Sequence, residues 1–170
     1  MSFTVREWWT LIHGMGFGAL FLLAFAGGLA GLYSLRPAWV TPEGIIERMR
    51  RLKVGVVAMA VAAWGTVITG TWVVYPWYRE DIPESPRSLL LANPDTEDWH
   101  KFGMEWKEHV AWLSPILATV VAFIVVYYGT NLIRHDRVRR TAMILFVLAF
   151  AFAAIAGAFG AFITKVAPVT

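Results

Sequence analysis

An all-α, four-helix transmembrane bundle with up-down topology is the fold class this sequence predicts, and three observations predict it. Of 170 residues, 58% are hydrophobic and only 16% are charged, with a mean hydropathy of +0.56, which is too apolar for a soluble domain of this length. Residues 11–35, 54–78, 110–133 and 141–164 contain no Asp, Glu, Lys or Arg. Each run exceeds the roughly 20 apolar residues needed to cross a bilayer core of about 30 Å. The charges gather between the runs. The chain reads as one integral membrane domain over 1–170, with spans at about 11–35, 54–78, 106–133 and 141–164 and a polar loop at 79–105.

The first span follows Trp8 and Trp9, an aromatic pair suited to a membrane interface. A secretory signal is the competing reading, because Ala24-Phe25-Ala26 resembles a cleavage site. The segment before it lacks a positive excess, so the span is expected to be retained. Gly14 and Gly18, like Gly27 and Gly31, lie four residues apart, a spacing that admits a close helix neighbour or a flat ligand. Arg36 and Pro37 end this helix. Thr41-Pro42-Glu43 starts the next, with Thr41 as N-cap and Pro42 in the first turn. Pro76 should break the second span near its aromatic end.

The segment from Arg79 to Glu108 holds eight acidic and four basic residues. Pro83, Pro86 and Pro94 predict irregular chain, followed by a short interfacial helix over about 95–102 that Gly103 hinges to the third span. Pro115 should kink that span mildly. The fourth span carries Ala149, Ala153, Gly157 and Ala161 at four-residue intervals.

The two short connections together hold nine Lys or Arg against three acids. By the positive-inside rule they belong in the cytoplasm, which puts both termini and the acidic loop outside, in a bacterium on the periplasmic side of the inner membrane. The same flanking position accounts for the basic pI near 9.4 without nucleic acid. With no cysteine in the chain, thiolate metal sites, disulfides, iron–sulfur clusters and c-type haem are excluded.

The remaining chemistry gathers between Asp98 and Pro115. His109 enters the third span at the same predicted depth as His13 in the first, and two imidazoles on facing helices are what a b-type haem requires. In this layout Gly14 and Gly18 would make room for the macrocycle, and Arg6 and Lys107 would pair with its propionates. Glu105, one turn before His109, and His100 would stand behind the ligands. The architecture and this ligand pair resemble small four-helix membrane b-type cytochromes.

That resemblance implies electron transfer through one haem b near the outer face, with quinol or an external periplasmic carrier as partner. A single haem level cannot carry electrons across the bilayer by itself. The alternative is a non-catalytic accessory subunit of a larger respiratory or photosynthetic membrane complex, packed against other subunits and holding no cofactor of its own. Zinc or copper on His100, Glu105 and His109 has no recognised spacing behind it. His135 and the methionines read as solvated and core-filling residues. A transporter is disfavoured by the uncharged midplane, and a hydrolase by the lack of a converging nucleophile, base and acid.

Overall fold

The computed structural model describes residues 3–168, and among them every regular element is helical. In chain order these are α1 (Val5–Ser34), α2 (Pro42–Tyr78), the short α3 (Pro86–Ala92), α4 (Trp99–Arg134) and α5 (Asp136–Val166). All but α3 are long and apolar enough to cross a membrane. The chain is an integral membrane protein whose apolar helices meet lipid.

Local chemistry sets the helix starts. Thr4 caps α1 in a reciprocal box: its hydroxyl accepts from the Glu7 N–H, and the Glu7 carboxylate accepts from the Thr4 N–H at 2.7 Å. Thr41 caps α2 ahead of Pro42, as the sequence predicts. Ser85 followed by Pro86 starts α3 in the same way. That helix falls where irregular chain is expected. It persists because Leu90, 1% exposed, docks into a small core with Tyr78, Met104 and Ile163.

The helices extend beyond the charge-free runs, since charged residues cost nothing where a helix leaves the membrane. A separate interfacial helix hinged at Gly103 is not what forms. Trp99–Met104 is a π-helical turn that runs without a break into the rest of α4, and Gly103 is buried against Phe159 of α5. The irregularity falls instead at Ala111–Trp112, just before Pro115, whose missing N–H leaves the Ala111 carbonyl to a weaker 3.3 Å bond from Ser114. Pro76 does not end α2 outright, because a π turn at Gly70–Val74 precedes it and the helix continues to Tyr78.

Close approaches define the packing. A Cβ added to Gly28 of α1 would lie 2.7 Å from the Phe146 ring of α5, and one on Gly31 would lie 3.1 Å from Leu52 of α2. Contacts between α1 and α2 run in opposite sequence directions, from Gly31 on Leu52, through Phe17 on Gly65, to His13 on Gly70. The main core centres on Phe146, Met59, Val56, Val121 and Val125, all fully buried. Small residues at these crossings matter because, in lipid, close packing rather than escape from water holds helices together.

One end of the molecule carries the two short connections and is rich in arginine; here it is called the basic end. The opposite end carries α3 and the long connection and is called the loop end. At the basic end α4 turns back through Gly129, whose φ of +50° requires glycine, and only His135 separates α4 from α5. Phe25 stacks on Phe150 at 4.1 Å and Phe21 on Phe150 at 6.2 Å, joining α1 to α5 along that half. Several glycines of the two helices are exposed. A Cβ on Gly14, Gly16, Gly18 or Gly157 would meet nothing within 4 Å.

Candidate functional site

Three π-helical turns, at Ile12–Gly16, Gly70–Val74 and Trp99–Met104, fall at the loop end of three different spanning helices. Such turns widen a helix by one residue and re-aim the side chains beyond them, and they recur at functional sites. The polar side chains that sequence reasoning singled out are distributed around these turns.

His13 sits in the α1 turn, half-buried against Gly70 of α2, with Nδ1 3.1 Å from the Thr69 hydroxyl oxygen. That hydroxyl donates to the Gly65 carbonyl at 2.7 Å, so it receives from His13, and Nδ1 carries the proton. A neutral ring then has a lone pair at Nε2. His109 is held in the same sense: Nδ1 lies 2.7 Å from the Glu105 carbonyl oxygen, which can only accept. Each imidazole is therefore oriented as a metal-bound histidine would be, with one nitrogen fixed by a hydrogen bond and the other free.

The two rings are held by different helices. Lys107 projects toward α5, its ammonium 3.2 Å from where a Gly160 Cβ would stand. A step of two residues turns an α-helix by about 200°, which puts His109 on the far face of α4. It is exposed there. His13 and His109, expected at equal depth on one iron, make separate hydrogen bonds here, one to Thr69 of α2 and the other to Glu105 of its own helix.

The other expected site residues have found other partners. Arg6 makes a two-pronged ion pair with Glu80 at 2.8 and 3.1 Å and lies over the Trp77 ring. The Glu105 carboxylate pairs with Arg79 at 2.8 Å, so its part in holding His109 belongs to its backbone carbonyl. His100 is buried, with Nδ1 2.8 Å from the Tyr78 hydroxyl. Gly14 and Gly18 face open space. Lys107 has no ion pair or hydrogen bond among the described residues, and no group of three or more His, Asp or Glu among them could hold a metal ion.

Two contacts escaped sequence reasoning. The Tyr75 hydroxyl donates to Glu108 at 2.7 Å, tying α2 to α4, while the other Glu108 oxygen is buried without a partner. Thr69 anchors His13. A hydroxyl or phenol at the depth of each histidine was the available signal, but it does not say which of several such residues will face it.

Family models, curated proteins and solved structures were all compared with this sequence. The chain matches none of them. Its function has to be argued from the geometry alone.

Proposed function

We propose that this protein is a non-catalytic subunit of a larger membrane complex. In this reading it is an up-down four-helix bundle in a bacterial inner membrane, with its basic end in the cytoplasm and its loop end and both termini outside. One observation carries the proposal: His109 is exposed, with Nδ1 tied to the Glu105 carbonyl of its own helix, so that Nε2 is left for water or for a neighbouring subunit. Exposed glycines on α1 and α5, among them Gly14 and Gly157, support it, since glycine surfaces in lipid let a second helix approach closely.

Native electrophoresis of the source membranes tests this. The chain should migrate in an assembly well above its own 19.0 kDa, and Gly157→Leu should release it as a folded free protein. Migration as a free monomer under the mildest detergent would end the proposal.

A second reading has its own support in the hydrogen bond from His13 to Thr69, which leaves Nε2 unprotonated, while the half-buried Lys107 of α4 has no partner among the described residues. On that reading His13 is one axial ligand of a haem b, Lys107 balances a propionate, and electrons pass to or from quinol or an external carrier. His109 would then serve a group shared with a neighbouring subunit. An absorption spectrum of the purified chain separates the two. A Soret band lost in His13→Ala but kept in His109→Ala favours the haem, whereas a colourless folded protein favours the accessory subunit.

A further inference from the structure

The basic end holds a cleft of about 330 Å³ that neither reading above uses. Tyr33 and Arg36 from the end of α1 and Asp136, Arg139, Arg140 and Met143 from the start of α5 line it. Three guanidinium groups face one carboxylate, so the lining carries a net charge of about +2. Asp136 is itself already engaged, by Arg139 and by Arg140 Nε at 2.7 Å.

Arg139 is 6% exposed, an unusual degree of burial for an arginine. One terminal nitrogen donates to the carbonyls of Leu32 and Tyr33 at 3.3 and 3.4 Å, the other to Asp136, but the buried Nε–H has no acceptor. Arg36 repeats the pattern. Its guanidinium lies over the rings of Tyr33 and Trp39 at 4.3 and 4.8 Å, and its Nε–H is also buried without an acceptor. These contacts hold both guanidinium groups at the rim of the cleft with more positive charge than Asp136 can balance.

We infer that this cleft is a binding site for the phosphate of an anionic lipid headgroup. Guanidinium groups match phosphate oxygens in charge and geometry, and basic clefts between spanning helices at a membrane surface take acidic lipids. Position selects a lipid over a free phosphate. The cleft lies at the last turn of α1 and the first turn of α5, where the apolar spans end. Next to it Met143, and farther along the same seam Phe25 and Phe150, offer half-buried apolar surface on which an acyl chain can lie.

The test is native mass spectrometry of the full chain in detergent, titrated with phosphatidylglycerol, phosphatidylcholine or inorganic phosphate. Phosphatidylglycerol should bind at least about tenfold more tightly than phosphatidylcholine. Arg36→Gln should remove about tenfold of that affinity, as the loss of one charge-assisted contact does. Arg50→Gln, an exposed arginine paired with Glu47 away from the cleft, should change it less than about twofold. Arg36 is chosen because Arg139 also supports the fold. Equal binding of the two lipids, or equal effects of the two variants, overturns the inference. Displacement of the lipid by inorganic phosphate at comparable concentration overturns the lipid assignment in favour of a free phosphate.

Discussion

The Nδ1–H of His13 donates to the Thr69 hydroxyl at 3.1 Å, and that hydroxyl donates in turn to the Gly65 carbonyl. In this relay the Thr69 hydroxyl keeps its proton while donating to the carbonyl, the pattern assigns the Nδ1–H tautomer to His13, and α1 is joined to α2. Thr69→Val should keep the volume and remove the acceptor, at a cost of about 0.5–2 kcal/mol, the range for hydrogen bonds between membrane helices. Thr69→Ser should cost less than half as much. Unfolding in a denaturing detergent measures both, and equal losses would show that the hydroxyl contributes nothing.

Gly28 and Gly157 should respond oppositely to alanine. At Gly28 the new methyl meets the Phe146 ring at 2.7 Å, and that ring is fully buried, so Gly28→Ala should destabilise by about 1–3 kcal/mol. At Gly157 the methyl meets nothing, so only helix propensity acts, and Gly157→Ala should be neutral or stabilising by up to about 1 kcal/mol. The same unfolding assay reports both signs.

Exposure divides the four histidines into two classes. His109 and His135 are exposed, whereas His13 is half-buried and His100 is buried. Brief treatment of the detergent-solubilised protein with diethyl pyrocarbonate, followed by peptide mass mapping, should modify the first two well before the others. Rapid modification of His13 would contradict its packing against Gly70.

Arg139 closes the basic end by capping the last carbonyls of α1 from α5. Arg139→Ala should lose about 1.5–3 kcal/mol, the range for hydrogen bonds to a charged group. Asp136→Asn should lose less, because Asp136 is half in solvent and its pairing is screened. The ordering of the two variants in thermal unfolding is the measurement.

Depth along the membrane normal was legible in the sequence, whereas direction around each helix was not. The charge-free runs place the spans, and Thr41-Pro42 marks a helix start that the structure keeps. His13 and His109 were placed at one depth by counting from flanking tryptophans, but counting carries no information on which way a ring points. Three π turns each add a residue to a helical turn and rotate everything beyond them. Nothing local in Ile12–Gly16 or Gly70–Val74 announces them. Of Lys107 and His109, two residues apart, it is Lys107 that reaches toward α5 and His109 that is exposed. The short α3 was legible in principle from Ser85-Pro86, a capping pair passed over among neighbouring prolines.

At the basic end, a single residue separates α4 from α5, and Arg139 ties α5 to the end of α1. Those helices are pinned together there, like the joined arms of tweezers. At the loop end the fastening changes partners: α1 is held to the end of α2 by Arg6 on Glu80, and α5 to α4 by Phe159 against Gly103, so strain applied to one pair of helices there need not be felt by the other.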